Sequence, residues 1–217
     1  MEGFDLRCGA KQNHFEAQRE WVQGGKGKTT PSVNLVSLST LLSMITMPSL
    51  VALAGWLAEM QDDIQGKKCL DMGCGLGFTA LLGKWLGADV TAMDYEPKAL
   101  EYAKINEFLN GIPGVEWVVE DWRKPALPPE SFDRIWAGDV MYEEGFAQPI
   151  AAYLASMLKS GGKAWIAEPR REIFHHLLDI LHEHHLSYKL ICYLPISPLT
   201  EQEMPVTVNI WQISKNG

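Results

Sequence analysis

The chain has 217 residues, 47% hydrophobic and 21% charged, a globular composition that excludes disorder and low-complexity repeats and lets a full core form without disulfides or a structural metal. Its 19 basic and 27 acidic residues give a net charge of −8. That balance argues against broad binding to a phosphate backbone and suits a basic protein partner or a small cationic substrate.

Residues 1–47 read as an N-terminal extension that packs on the domain formed by residues 48–217. From Thr29 to Ala58 no residue is charged and none is histidine. The stretch is threaded with Ser, Thr and Asn and broken by Pro48 and Gly55, so it reads as a segment buried on the domain and not as a membrane span. The start, Met1 to Asp5, lacks the cationic region of a secretory signal. A helix is expected from Pro48 to about Ile64, with Leu50, Leu53, Ala54, Leu57 and Ala58 at helical spacing.

Lys67–Met72 then reads as a buried strand, Phe78–Leu86 as a helix stopped by Gly87, and Asp89–Met93 as a second strand. Pro97–Asn110 is an amphipathic helix closed by Gly111, Val115–Val119 a strand, and Lys124–Ser131 a loop. Phe132–Ala137 is a strand, Phe146–Leu158 a helix capped by Ser160-Gly161-Gly162, and Lys163–Ala167 another strand. Arg170–Leu186 reads as a helix, with Ile173, Phe174, Leu177, Leu178 and Leu181 on one face. Tyr188–Leu194 and Val206–Ile213 close the chain as strands. This alternation predicts an α/β fold, a doubly wound, Rossmann-like, mostly parallel sheet of seven strands with a C-terminal antiparallel hairpin.

The most informative stretch runs from Cys69 to Gly77, with glycines at 73, 75 and 77 and Cys74 inside the loop. Its G-x-G-x-G spacing lacks the last glycine of a dinucleotide fingerprint, because Phe78 stands there. Glycines at a strand end let a ligand approach the backbone closely. Asp71 suits the amino group of a methionine moiety. Asp94, 21 residues after Gly73, can hold both hydroxyls of a ribose. Asp121 can accept from an adenine amino group, with Trp122 as a flat surface for the ring. Three acids at successive strand ends fit a cofactor with an amine, a ribose and an adenine but no phosphate.

On these residues the sequence resembles the class I S-adenosylmethionine-dependent methyltransferases, from about Pro48 onward. The motif Leu70–Gly77, the acid in Val90–Leu100 and the closing hairpin carry the likeness, which adds Tyr95 to the cofactor residues. Asp139-Val140-Met141-Tyr142 is similar to the D-x-x-Y signature of the seven-strand protein-lysine methyltransferases often called family 16. It also resembles that of bacterial relatives named for nicotinamide N-methyltransferase. Asp121-Trp122 and Glu168-Pro169-Arg170 fit the same group, whereas Met47-Pro48 stands where the group often has Trp-Pro.

The resemblance implies an S-adenosylmethionine-dependent N-methyltransferase acting on a protein lysine. A small-molecule amine or pyridine acceptor, or a non-catalytic cofactor-binding subunit, are the alternatives. Asp139 and Tyr142 are the expected catalytic pair, Asp139 also bordering the cofactor, and no metal, nucleic-acid or membrane partner is expected. A lysine, with an ordinary pKa of about 10.4, must lose a proton before it attacks; Asp139 can draw in the cation and orient the neutral amine. The four cysteines form no CxxC pair and suit a reducing cytoplasm. Gly24–Thr29 mimics the end of a phosphate loop, but Val22 occupies the place of its first glycine. Five of six histidines crowd into residues 175–185 on a solvated helix without a ligand cluster.

Overall fold

The computed structural model describes residues 47–196 and 205–215. The expected packing of the N-terminal extension, the phosphate-loop look-alike and the loop around Pro198 lie outside the described residues.

The chain opens with α1 (Pro48–Glu59), carrying Pro at its first turn, and the short α2 (Gln61–Ile64). These replace the single expected helix. The chain leaves helical geometry at Met60 and restarts at Gln61, which lets Ile64 turn into the core. Then follow β1 (Lys68–Met72), α3 (Phe78–Trp85), β2 (Asp89–Asp94), α4 (Pro97–Asn110), β3 (Glu116–Val119) and β4 (Phe132–Gly138). A 3-10 turn (Glu144–Phe146) leads into α5 (Ala147–Met157), β5 (Leu158–Glu168), α6 (Phe174–Ile180), β6 (Leu186–Ile196) and β7 (Val206–Lys215).

All seven strands form one sheet in the order β3-β2-β1-β4-β5-β7-β6. The first five strands run parallel, with Leu70 opposite Thr91 on one side and Ile135 on the other. β7 inserts antiparallel between β5 and β6. The sheet therefore matches the expected doubly wound architecture with its closing hairpin. Each face has its own core. Trp56, Leu57, Leu81, Trp136 and Trp165 pack on one side, and Met72, Ile135, Tyr153, Leu154 and Phe174 on the other. Alternation along a strand feeds both, as a sheet covered by helices on two faces requires.

Two further sequence readings change. Ser160-Gly161-Gly162 does not cap a helix but lies inside β5, which pairs back to Phe132 through a register shift. Leu158 is already extended (ψ 134°), so the helix ends one residue earlier and the strand begins at once. The helix expected from Arg170 starts only at Phe174 and gives way to a 3-10 turn at Leu181–His184. Arg170 is left-handed (φ 57°) and the Arg171 N–H donates to the Glu168 carboxylate, so the chain is bent before a helix can nucleate.

Candidate active site

The parallel strands deliver their C-terminal ends to one edge of the sheet. Neighbouring β1 and β4 send their connections in opposite directions there, which opens a crevice between them. The glycine loop follows β1. The Gly73 and Cys74 N–H groups donate to the Met93 carbonyl at 3.0 and 2.9 Å, and the Asn106 side chain of α4 donates to the Leu76 carbonyl at 3.0 Å. Gly77 has φ 85°, and a Cβ there would lie 2.5 Å from the Trp117 ring. Only glycine satisfies both the dihedral and the space.

Asp94 closes the loop from the next strand. It accepts from the Gly75 N–H at 2.9 Å and from the Glu96 N–H at 3.0 Å. Each carboxylate oxygen has a further lone pair, so a diol can still be held. Tyr95 follows it, exposed at the rim. Asp121, after β3, receives a bidentate contact from Arg123 at 2.8–3.0 Å, which holds its carboxyl below the usual range. That partner was not foreseen from the sequence, although it stands two residues away.

Asp71 and Trp122 depart from their expected roles. Asp71 is 1% exposed and accepts from the Thr79 hydroxyl at 2.6 Å, so it braces the loop from behind and offers no open face to an amino group. Burial pushes its carboxyl up to about 7, against the pull of the Thr79 hydrogen bond. Trp122 is no open plate either. It is 7% exposed, meets Phe146 edge-on at 5.6 Å and lies under Gly73. Cys74 is buried, and burial pushes its thiol well above its ordinary value, which leaves no thiolate for nucleophilic chemistry.

Asp139 stands one residue beyond β4 in the left-handed region (φ 51°), its N–H bonded to the Ala167 carbonyl at 2.8 Å. Its carboxylate accepts from Arg171 Nε and Nη2, both at 2.8 Å. Tyr142 is exposed, packs edge-on against Phe146 at 5.0 Å and reaches toward Tyr95 from the opposite bank. Partial burial and then the Tyr95 side chain raise its phenol above the ordinary value. At the end of β5 the buried Glu168 accepts from Asn209 at 2.7 Å, Trp211 at 3.0 Å and the Arg171 N–H at 2.9 Å. A cavity of about 570 Å³ opens beside it. The sequence reading missed Arg171; its position directly after Glu168-Pro169-Arg170 was the available signal.

The expected residues thus gather around one crevice, with a braced glycine loop and two carboxylates on one bank and Asp139 and Tyr142 on the other. Gly75 adds open space, since a Cβ there would meet no atom within 4 Å, and the Trp122 indole N–H is buried without a partner among the described residues. The open carboxylates, Asp94 and Asp121, fit a cofactor that presents a diol and the edge of a base.

A family profile described as "Methyltransferase domain" matches residues 70–166, the segment from the glycine loop to β5. Residues 70–166 form a class I methyltransferase domain. Its methyl donor is S-adenosylmethionine. The chain is 30% identical over 142 residues to the electron transfer flavoprotein beta subunit lysine methyltransferase of Danio rerio, covering 64% of this chain and 54% of that one. It is 29% identical over 122 residues to a histidine protein methyltransferase 1 homolog of Dictyostelium discoideum, covering 54% and 40%. A ubiquinone biosynthesis O-methyltransferase of Klebsiella pneumoniae is 30% identical over 118 residues, covering 54% and 48%. The chain therefore spans about half the length of these curated relatives. A TehB-like S-adenosylmethionine-dependent methyltransferase structure from Corynebacterium glutamicum superposes with TM-score 0.60 at 20% identity, covering 94% of this chain and 97% of the other. No helix among the described residues is long and apolar enough to cross a membrane.

Proposed function

We propose that the protein is an N-methyltransferase whose acceptor is a protein lysine. The observation that carries this reading is Asp139, a carboxylate held in a left-handed backbone position at the crevice end of β4, with Tyr142 three residues on. The likeness to a flavoprotein-subunit lysine methyltransferase supports it. The ubiquinone O-methyltransferase relative keeps a small-molecule acceptor as the second reading.

When bound, S-adenosylmethionine supplies a methyl group on a sulfonium sulfur. Asp94 would hold the ribose hydroxyls with Tyr95 alongside, and Asp121 the adenine edge. Gly73, Cys74, Gly75 and Gly77 would form the backbone wall, with Asp71 and Trp122 bracing it. The chain's own work is positioning and electrostatics. Asp139 draws in a lysine ammonium, and once its proton has gone to solvent the carboxylate accepts a hydrogen bond from the neutral amine and aims its lone pair. Tyr142 and Phe146 wall the approach. The buried thiols of Cys69 and Cys74 suit a reducing cytosol, the location this reading assigns.

The test is incubation of cell lysate and pure protein with methyl-labelled cofactor, followed by hydrolysis. Label in methyllysine is the expected result. Label confined to low-mass material would select the small-molecule reading, and none in either fraction would reject both.

A further inference from the structure

Asp139 does not wait with a free carboxylate. Arg171 covers both oxygens in a fork at 2.8 Å, the arrangement in which a guanidinium binds a carboxylate most strongly. Arg171 lines the cavity beside this corner and Asp139 does not, so an ammonium entering from the cavity meets the side of the carboxylate that the fork occupies and competes with Arg171 for those lone pairs. One partner has to yield, and their settings differ. The Asp139 side chain is 18% exposed, and its backbone is pinned to Ala167 in a left-handed conformation. The Arg171 side chain is 46% exposed on a long flexible stem. Half in solvent, such a pair is weak enough to exchange.

The cavity at the ends of β5 and β7 gives the direction of approach. Its wall includes Glu168, Arg171, Phe174, Asn209 and Trp211, but not Asp139. Arg171 therefore stands between the cavity and the carboxylate. Trp211, half-buried and backed by the buried Phe174 at 5.9 Å and 28°, offers an aromatic flank suited to an alkyl stem. Glu168, fixed by three donors, supplies negative charge within that wall, which favours a cation entering.

We propose that this cavity is the acceptor's subsite and that Arg171 is its gate, a specificity-determining side chain that an incoming alkylammonium displaces from Asp139. The proposal rests on the cationic-acceptor reading above. It adds that the crevice is closed to neutral acceptors, which cannot compete for the carboxylate, and that binding weakens when the gate is strengthened.

The probe is n-butylammonium, the lysine side chain without its backbone, titrated calorimetrically into protein loaded with S-adenosylhomocysteine; n-butanol is the neutral control. Arg171→Gln should bind n-butylammonium about two- to fivefold tighter than wild type, the scale of one exposed ion pair removed from competition. Arg171→Lys should fall between them, and n-butanol should respond to neither. The gain should vanish in Asp139→Asn/Arg171→Gln. With a labelled protein acceptor, Arg171→Gln should lower KM while kcat stays within a few-fold. Equal n-butylammonium affinity in wild type and Arg171→Gln overturns the gate, as does a gain shared by n-butanol or one that survives the double substitution. If n-butylammonium binds as expected but wild type puts no methyl on lysine, the gate stands and the lysine reading fails. If wild type methylates lysine with a KM that Arg171→Gln leaves unchanged, the reading stands and the gate fails.

Discussion

At the scale of single residues, Asp94 and Asp139, at the ends of strands separated by β1, do different work in the crevice. Asp139→Asn keeps the size and removes the charge that draws in an ammonium. Turnover should fall about ten- to a thousandfold, as for other single electrostatic contacts at reacting centres, while the dissociation constant for S-adenosylmethionine changes much less. Turnover and cofactor binding measured on the same sample decide it; full activity would remove Asp139 from catalysis. Asp94 faces the cofactor and also fastens the loop through Gly75. Asp94→Ala should weaken S-adenosylmethionine by about 1.5–3 kcal/mol, the range for a hydrogen bond to a charged group. Unchanged affinity by calorimetry would take it out of the site.

At the scale of elements, the turn from β1 into α3 carries the site, and its glycines are not equivalent. Gly77→Ala would put a methyl group against the Trp117 ring at φ 85°. Left-handed strain of about 1–2 kcal/mol and overpacking of about 1–3 kcal/mol should add there. Gly75 is also left-handed (φ 52°), but its added methyl would meet open space, so Gly75→Ala should cost only the backbone strain, about 1–2 kcal/mol. Denaturant melts of the two variants should therefore differ, Gly77→Ala being the less stable. Equal losses would mean that Trp117 gives way freely. The Trp117 indole is held by the Glu107 carboxylate at 2.9 Å, which argues against that.

At the scale of the whole molecule, Asp71 ties stability to pH. It belongs to the central strand β1 and bonds Thr79 of α3, with its carboxyl raised from the usual 3.8 to about 7 by burial. The folded chain keeps a proton that the unfolded chain releases. The associated stability is thus fully present below about pH 4 and lost as pH rises through about 7. Asp71→Asn keeps an acceptor for Thr79 without the ionisation. Thermal melts from pH 4 to 8 should show wild type losing ground steadily to Asp71→Asn as pH rises. A difference that stays constant across that range would mean that Asp71 does not titrate there.

Much of this protein is local chemistry and is legible along the chain. Strands of apolar residues, glycines at helix stops and prolines at helix starts act within a few residues, so the strand–helix alternation and the seven-strand plan with its hairpin follow from pattern. The glycine loop and the acids at 71, 94, 121 and 139 are legible for the same reason, since each sits at a strand end that the pattern marks. The partners of those acids depend on which strand ends lie side by side. Arg171 is 32 residues from Asp139 in sequence, and β5 must pair beside β4 before the two can meet. Asp71 looks like a ligand in sequence, yet α3 folds back over it and buries it with Thr79. Trp122 likewise becomes wall because Phe146, from the turn before α5, closes on its ring. Short-range sterics determined the elements and the candidate residues; long-range packing decided which of those side chains meet solvent, which carry structure, and that Asp139 is held by a cation before any substrate arrives.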